Sequence, residues 1–527
     1  MSDDAADAPG VGAFGALRIL RRPEVELAFF TALGALQTIA FVAGDLWPLQ
    51  IVAIALLAWR VGRSSARRAA ALGFVFGIGW LCAGTWWLFV SLHRYGGLAA
   101  WLAALAVLAL SAFLSLYLAA AMAAVARWRP GSRGGAALLF AAAWLLAELA
   151  RGVVLTGFPW VASGYAQVDS PLAGLASSLG VYGLGAVVAG IAAGFGFSSL
   201  RRARAWLAPG GALVVALVAG ALLGRIEYTT PTRALTVSLL QGNVPQQEKF
   251  APQYLEGGLA ATAAQIAAAR GELVVGPETV IPILFSDLEE PYWTALVARF
   301  RVPGRAAILG IPMGDPEHGY TNSALGLSAA TTAMPNGYYR YDKHHLVPFG
   351  EFVPTGFHWF TRMMEIPLGD FNRGPVGAAS FAFRGERIGA NICYEDLFGE
   401  ELAARFADAA NAPTIFANIS NIGWFGDTIA IDQHLQISRM RSLEFQRPML
   451  RATNTGATAV IDHRGRVTHA LPRFTQGVLD GVVQGRTGAT PFAWWAARFD
   501  LWPLWALGAS IVLAAAVGAP RRTAPAA

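Results

Sequence analysis

The sequence is poor in charged residues, in lysine and in cysteine. Only 14% of its 527 residues are charged and 55% are hydrophobic, whereas a soluble domain has about 25% charged residues. This composition excludes an ordinary soluble protein, and it excludes a disordered chain, which needs low hydrophobicity and high charge. Cys82 lies in a hydrophobic segment and Cys393 in a more polar one, so no disulfide between them is expected. Each is either an inert buried thiol or a reactive one.

The scarcity of charge is concentrated in the N-terminal part of the chain. Residues 1–224 contain 15 arginines, no lysine and 8 acidic residues. A membrane-spanning helix needs about 20 mostly apolar residues, and seven segments of this part come close to that length. An eighth apolar segment lies near the C-terminus. The predicted spans are at about 25–42, 46–60, 70–92, 98–125, 136–153, 173–198, 205–224 and 500–519.

The arginines predict the orientation of these spans. Short loops rich in arginine remain in the cytoplasm. With eight spans and a cytoplasmic N-terminus, the inner loops and tails carry 15 arginines, and the short outer segments, apart from the large outside domain, carry 3. The prediction is a membrane domain over residues 1–225, an extracytoplasmic domain over 226–498, and a final span with a cytoplasmic tail over 499–527. The net charge of +6 then lies mostly against anionic lipid, and no nucleic-acid partner is expected because no basic run with interleaved aromatics occurs outside.

The extracytoplasmic segment alternates short β-forming runs with helical segments. This alternation favours a layered α/β domain, and the short links between several strands favour mixed sheets. Strands are predicted at 235–240, 273–275, 306–310, 323–327, 338–341, 388–391, 414–417, 450–452 and 458–461, and helices at 255–269, 291–300, 399–409 and 428–446.

Three strand ends in this domain carry reactive side chains. Glu278 follows the run Val274-Val275, Lys343 follows Tyr341-Asp342, and Cys393 follows Asn391-Ile392. Each residue alone is a weak indication of a functional site, because a Glu after a strand is usually a surface residue or a cap and a lysine is usually solvated. Lysine is scarce here, however, with only two residues against 38 arginines. A lysine is a compact charge whose pKa can shift, which arginine cannot supply.

Taken together, Glu278, Lys343 and Cys393 in this order resemble the nitrilase, or carbon–nitrogen hydrolase, superfamily. The strings KHHLVPFGEFVP, NICYED, TGFPW, QGNVPQ and NISNIGWFGDT extend the resemblance over nearly the whole chain to the membrane-bound apolipoprotein N-acyltransferase family. The resemblance implies an αββα nitrilase-like domain joined to a helical bundle of about eight spans. It also implies the bacterial inner membrane, with both termini in the cytoplasm and the catalytic domain on the periplasmic side.

The resemblance assigns roles to the three residues. Cys393 would be the nucleophile, and Glu278 the general base, with a pKa raised by burial. Lys343 and the backbone N–H of Tyr394 would form an oxyanion hole, a type of interaction worth roughly 3–4 kcal/mol per donor.

Further residues are expected to support the site or to admit lipid. Glu351 would orient the lysine or assist proton transfer. Glu395 would support the site or guide substrate, unless it is only a first-turn carboxylate favoured by the helix dipole. The apolar segment Gly356–Asp370 is predicted to be a mobile gate, with core packing as the alternative. Phe250 stands where the family often has a tryptophan. The expected pocket or gate residues are Phe250, Trp359, Phe360, Met363, Trp424 and Phe425.

The implied reaction is a two-step acyl transfer. The sn-1 acyl chain of a phospholipid, commonly phosphatidylethanolamine, would pass to Cys393 as a thioester and then to the α-amine of a diacylglyceryl-cysteine on an apolipoprotein. No cofactor and no metal is expected, and a monomer is expected. The alternatives are a membrane-tethered amidase that hydrolyses its thioester with water, and a transporter or scaffold with a degenerate domain. Glu148 and Arg151, at i and i+3 within a span, are either functional or a structural pair.

Overall fold

A computed structural model describes residues 22–199, 202–354 and 370–519. Its N-terminal part is a bundle of long helices joined by short loops and short 3₁₀ segments. A one-turn helix and a π-helical turn, Ser91–Tyr95, follow the third helix. The helices of the bundle are α1 (Pro23–Leu36), α2 (Trp47–Val61), α3 (Ala66–Thr85), α4 (Ala100–Trp128), α5 (Arg133–Val153), α6 (Ala176–Gly196) and α7 (Leu207–Leu223).

Seven helical segments of the described residues are long and apolar enough to cross a membrane. An eighth is obtained if the two C-terminal helices, which meet at an 85° bend, are taken as one span. The chain is therefore a membrane protein, and the spans agree with the predicted ones to within a few residues except that the third ends at Thr85. The seven segments are Pro23–Phe41, Gly44–Val61, Ala66–Thr85, Ala100–Trp128, Arg133–Thr156, Pro171–Gly196 and Ala203–Leu223.

Local sequence features explain where several of these helices begin and how they pack. Ser65 and Ser132 cap α3 and α5 by accepting a hydrogen bond from a first-turn backbone N–H, which satisfies one of the donors that a helix start leaves free. Glycine allows α1 and α3 to approach closely. A Cβ atom at Gly79 would lie 1.9 Å from the carbonyl oxygen of Thr31, so only glycine fits at this helix crossing.

Two six-stranded mixed sheets form the second part of the chain. The first has the order β12-β1-β2-β3-β4-β5 and the second β11-β10-β9-β8-β7-β6. The strands are β1 (Thr229–Gln241), β2 (Leu273–Val275), β3 (Ala306–Asp315), β4 (Gly319–Ser328), β5 (Tyr339–Asp342), β6 (Phe381–Phe383), β7 (Glu386–Ile392), β8 (Ile415–Ser420), β9 (Met449–Thr453), β10 (Ala459–Ile461), β11 (Val467–Ala470) and β12 (Gly477–Gly488).

The sheets pack face to face, with helices on both outer faces. Buried side chains of both sheets, such as Val237 and Ile388, share one apolar core, and two further cores lie under the helices. The result is the αββα arrangement, which confirms the predicted fold class. The remaining helices are α8 (Pro252–Ala268), α9 (Glu290–Phe300), α10 (Gly399–Ala403), α11 (Ala430–Phe445), α12 (Pro491–Phe499) and α13 (Trp502–Gly518).

The predicted strands all exist, but the pattern missed three others. Strands β6, β11 and β12 were not predicted, because β6 has only three residues and β11 is exposed along its whole length. The helix predicted over 399–409 is α-helical only to Ala403 and continues as a 3₁₀ turn to Ala407.

The sheet domain packs directly on the bundle. Tyr394, Leu397, Phe398, Ile437 and Met440 belong to the same buried apolar cluster as residues of the membrane helices. The segment that follows β7 and the helix α11 therefore face the bundle, and the reactive end of β7 lies at this junction.

Candidate active site

The three reactive side chains follow strand ends of both sheets and line one cavity. Glu278 follows β2, Lys343 follows β5 directly, and Cys393 follows β7 directly. Strands β2 and β5 point the same way in the first sheet, because β2 is parallel to β3 and two antiparallel pairings lead from β3 to β5. Carboxyl ends of parallel strands are where α/β proteins usually place ligand sites. Cys393 has a φ of +54°, a left-handed backbone that costs energy for a residue other than glycine and is typical of functional turns.

Glu278, Lys343 and Glu351 form one buried network. Lys343 Nζ lies 2.8 Å from Glu351 Oε1 and 3.4 Å from Glu278 Oε1. The Asn322 amide donates to the same two oxygens, at 2.7 Å each. The second oxygen of Glu278 accepts from the backbone N–H of Asn421 at 2.8 Å. Both carboxylates are therefore held in place. The Lys343 ammonium, at 1% exposure, is a single positive charge that lies between these two negative charges.

These contacts determine the charge states of the network. Burial raises the pKa of Glu278, but Lys343, the Asn322 amide, the nearby Lys249 and the Asn421 N–H outweigh it and leave this pKa below its usual value. The expectation that burial would raise the pKa of Glu278 was therefore wrong, since it ignored four stabilising partners of the charged form. For Lys343, burial lowers the pKa, but Glu351 and Glu278 together raise it above the ordinary value for lysine.

Cys393 is a thiol in this environment. Burial and the Glu278 carboxylate raise the pKa of Cys393, and Lys343 lowers it, so that the net value is about 12. A carboxylate with a low pKa and a thiol with a high one do not exchange a proton at rest. Proton transfer between them therefore has to accompany bond formation at sulfur.

Glu395 fixes the relative position of two strand ends. Its carboxylate accepts from the Tyr341 hydroxyl at 2.8 Å, from the backbone N–H of His344 at 2.7 Å and from that of Ile392 at 2.6 Å. These donors belong to β5, to the segment after β5 and to the residue before Cys393. Burial raises the pKa of Glu395, and these hydrogen bonds oppose the shift. The first-turn position anticipated for Glu395 is observed, but its main contacts join the lysine and cysteine segments.

His434 of α11 contacts the backbone of Cys393. Its Nε2 lies 3.2 Å from the Cys393 carbonyl oxygen, and Arg451 donates to its Nδ1 at 2.8 Å. Since Nδ1 accepts, Nε2 carries the proton and donates to the carbonyl. Burial and the Arg451 charge hold the pKa of His434 well below its usual value, so the ring is neutral. Its role is to hold the strained backbone of Cys393.

The membrane bundle reaches the site through the segment 156–160, which carries the TGFPW motif. The Tyr394 hydroxyl donates to the Gly157 carbonyl at 3.1 Å, and His345 Nε2 lies 3.0 Å from the Thr156 carbonyl. Trp160 donates to Gln433 at 2.8 Å, and its ring lies 5.5 Å from that of His434. This segment therefore touches the neighbours of both Lys343 and Cys393.

Glu148 and Arg151 hold this segment in place. The Glu148 carboxylate accepts from the Ser163 N–H at 2.7 Å and from its hydroxyl at 2.6 Å. Arg151 donates to the carbonyl oxygens of Phe158 and Trp160, at 3.1 and 2.7 Å, and its ion pair with Glu148 is 3.4 Å long. Of the two possibilities for this pair, the contacts favour the structural one.

A cavity of about 340 Å³ gives access to the network. It is polar at its base and largely apolar in its wall, and the π-helical turn of the bundle contributes to it. The lining includes Glu278, Lys343, Glu351 and Cys393 at the base, and Phe250, Val347, Phe349, Trp424, Phe425 and Tyr95 in the wall. Phe250 therefore lies in the pocket as expected, and so do Trp424 and Phe425. Trp359, Phe360 and Met363, with most of the predicted gate Gly356–Asp370, lie outside the described residues.

Four residues of the site were not singled out from the sequence. Asn322 gave no signal at all. Asn421 stands in the NISNIGWFGDT string, which could have pointed to it. Lys249 was the only lysine besides Lys343, and its Nζ donates to the Glu278 carbonyl at 2.8 Å, so both lysines of the chain serve the site. His434 was hidden within a helical pattern. Among the described residues, no group of three or more His, Cys, Asp and Glu side chains could hold a metal ion.

An αββα domain with Glu, Lys and Cys at three strand ends, resting on a helical bundle, defines a membrane-bound protein of the carbon–nitrogen hydrolase class. The family model for carbon–nitrogen hydrolases matches residues 236–492, and that for the apolipoprotein N-acyltransferase N-terminal domain matches residues 33–194.

Similarity to curated relatives identifies the family more specifically than the family models do. A protein of Verminephrobacter eiseniae named apolipoprotein N-acyltransferase is 56% identical over 86% of this chain and 89% of its own length. One of the same name from Ralstonia nicotianae is 46% identical over 98% of this chain and 99% of its own. The chain therefore belongs to the apolipoprotein N-acyltransferase family, and it is an enzyme that transfers an acyl chain to the amine of apolipoproteins.

Proposed function

We propose that the enzyme works by a two-step transfer through a thioester on Cys393. The donor is a phospholipid, with phosphatidylethanolamine as the expected one, and the acceptor is the α-amine of the diacylglyceryl-cysteine of an apolipoprotein. The observation that carries this proposal is the buried Glu278–Lys343–Glu351 network beside Cys393, at the base of a cavity whose wall is apolar and partly built by the membrane bundle. The apolar wall can accommodate an acyl chain, and the polar side chains at the bottom of the cavity suit acyl transfer.

In the first step, the Cys393 sulfur attacks the carbonyl carbon of the sn-1 ester while Glu278 takes the thiol proton. Negative charge develops on the carbonyl oxygen, and Lys343 with the Tyr394 N–H stabilises it. The ester C–O bond then breaks, Glu278 returns the proton to the glycerol oxygen, and the lysophospholipid leaves. Because the thiol has a high pKa, proton transfer and sulfur attack occur together.

In the second step, the neutral α-amine of the acceptor attacks the thioester carbonyl. Glu278 takes a proton from the amine, and the same oxyanion hole stabilises the second tetrahedral intermediate. The C–S bond breaks, the sulfur regains a proton, and an amide is formed. Glu351 keeps Lys343 charged and oriented throughout through the 2.8 Å contact, and Glu395 holds the lysine and cysteine segments in register. These two are positioning residues, since neither needs to touch the reacting atoms.

The arginine distribution supports an orientation with both termini in the cytoplasm and the sheet domain in the periplasm, on the bacterial inner membrane. This orientation brings Cys393 to the junction of domain and bundle, near the headgroups of the outer leaflet. Donor and acceptor both have acyl chains anchored there, so neither has to leave the membrane. A single chain contains all the groups that the two steps use, and a monomer is therefore proposed as the working unit.

Mass spectrometry of the Cys393 peptide tests the proposal. The purified chain is incubated with phosphatidylethanolamine that carries an isotope-labelled sn-1 chain. We expect the labelled acyl mass on Cys393, and we expect a diacylated lipopeptide to remove it and to gain the label on its amine. Cys393→Ala is the matched control and should give neither product. Loss of the thioester to water at the same rate without lipopeptide would instead indicate an amidase, and no adduct at all would contradict the thioester route.

A further inference from the structure

A second cavity lies in the membrane bundle, far from the catalytic domain. It is a groove of about 1,060 Å³ between α1, α2, α6 and α7. The sheet domain follows the C-terminal end of α7, and successive spans alternate in direction, so the start of α1 and the end of α2 lie at the opposite end of the bundle. Most of the groove wall is apolar and is formed by residues such as Phe29, Ile51, Val52, Leu56 and Leu213.

The end of the groove that is distant from the catalytic domain is charged. Glu26, at 4% exposure, accepts hydrogen bonds from both Arg60 and Arg68, and all three side chains line the groove. Arg68 Nε contributes one of these contacts at 2.8 Å. One carboxylate therefore serves two guanidinium groups, which leaves a net positive charge in a partly buried position.

Two more arginines add to this charge. The Arg63 guanidinium lies 5.1 Å from the ring of Trp59, a residue of the groove wall. Burial lowers the pKa of Arg63, and repulsion from Arg129 and Arg60 lowers it further. Arg60 and Arg68 thus share the Glu26 carboxylate at the mouth of the apolar groove, and Arg63 and Arg129 lie close enough for repulsion to act between them and Arg60. In the described lining of the groove, two cations face one carboxylate beside an apolar wall, an arrangement that suits an anion with an apolar tail.

We propose that this groove binds an anionic glycerophospholipid, with one acyl chain along the apolar wall and the phosphate against Arg60 and Arg68. Guanidinium groups bind phosphate oxygens in bidentate fashion, and basic pockets between membrane helices bind anionic headgroups. A zwitterionic lipid offers the same phosphate but also brings an ammonium group into the field of the arginines. The groove therefore prefers a headgroup with net negative charge. This site is separate from the acyl-transfer site, since it shares no lining residue with the cavity at Cys393.

Native mass spectrometry of the full chain measures this preference directly. The detergent-solubilised protein is exchanged against an equimolar mixture of dioleoyl-phosphatidylglycerol and dioleoyl-phosphatidylethanolamine, which differ only in the headgroup. We expect several-fold preferential retention of phosphatidylglycerol. Arg68→Gln should lower that preference by about fivefold, as expected for the loss of one cation near an anionic lipid, while Arg60 still pairs with Glu26. Val52→Trp should fill part of the wall and reduce retention of both lipids.

Arg133→Gln is the matched control, because Arg133 lies at the same end of the bundle outside the groove; it should leave the preference unchanged. Equal retention of the two lipids by the unaltered protein would overturn the proposal. A preference that survives Arg68→Gln, or one that Arg133→Gln reduces equally, would assign the effect to the general basic surface and would overturn it too. If Arg68→Gln does not yield folded protein, Val52→Trp alone tests the proposal. Unchanged retention of both lipids in that variant would exclude the groove as the binding site.

Discussion

The resting charge state of Cys393 predicts a slow reaction with alkylating reagents. Its pKa of about 12 lies well above the value of about 8.5 for a free cysteine. At neutral pH the thiolate fraction falls tenfold for each unit of pKa, so Cys393 contains on the order of a thousandth of the thiolate of a free thiol. Iodoacetamide attacks the thiolate. It should therefore alkylate Cys393 about a thousandfold more slowly than an unperturbed cysteine.

Two substitutions separate this effect from general disruption of the site. Glu278 raises the pKa of Cys393 and Lys343 lowers it. Glu278→Gln should therefore speed alkylation, although it should abolish acyl transfer by removing the proposed base. Lys343→Met should slow alkylation and also abolish transfer. Loss of activity in both variants, combined with opposite changes in alkylation, is not expected from simple loosening of the fold.

The assay is the rate of mass increase of the intact protein at a series of pH values. Cys82→Ala serves as the background, so that Cys393 is the single cysteine observed. The logarithm of the rate should rise by about one for each pH unit, without a plateau near the ordinary cysteine pKa. A plateau with a midpoint near 8.5, or slower alkylation in Glu278→Gln, would refute the electrostatic reasoning.

Three further predictions concern the surroundings of the site. Asn322→Leu removes the amide that both buried carboxylates share, and it should lower the free energy of unfolding by about 1–3 kcal/mol, measured in denaturant, and reduce the rate of thioester formation. His434→Phe removes the donor to the Cys393 carbonyl but keeps an aromatic ring, so it should lower kcat more than it raises KM. His434→Gln keeps a donor and should restore part of the rate. Equal effects of the two variants would contradict the role of this hydrogen bond. Burial and the neighbouring carboxylates raise the pKa of Glu400 to about 8, so the folded state holds a proton that the unfolded chain has lost above about pH 4.5. The melting temperature should therefore fall as the pH rises from about 5 to 8, and Glu400→Gln should flatten this dependence.

The layered fold and the three reactive strand ends were predictable from local patterns. The αββα domain follows from short apolar runs that alternate with helices, and the spans follow from length and hydropathy. Strand β12 was missed because its pairing is a long-range property: it closes the first sheet against β1, more than two hundred residues earlier in the chain. No local pattern at Gly477–Gly488 indicates this partner.

The charge state of Glu278 was not predictable for a similar reason. Burial alone favours a raised pKa, and the sequence suggested burial. The partners that reverse the shift come from four separate places in the chain, and one of them, Asn322, is a neutral residue with no sign of its role. Lys249 is an intermediate case. Its rarity as one of two lysines was visible, but only the fold brings its Nζ to the Glu278 carbonyl.

The contacts of the segment 156–160 explain why a nitrilase-like domain is joined to this bundle. The domain could hold the network of Glu278, Lys343 and Glu351 by itself, since every partner in that network lies in the sheets and their loops. The Cys393 side of the site differs. The Tyr394 hydroxyl donates a hydrogen bond to the Gly157 carbonyl, and the ring of His434, which donates to the Cys393 carbonyl, lies tilted against that of Trp160. A displacement of the bundle would therefore move Cys393 relative to Glu278. Attachment to the membrane thus contributes to the alignment of Cys393 in addition to bringing the lipid substrates to it.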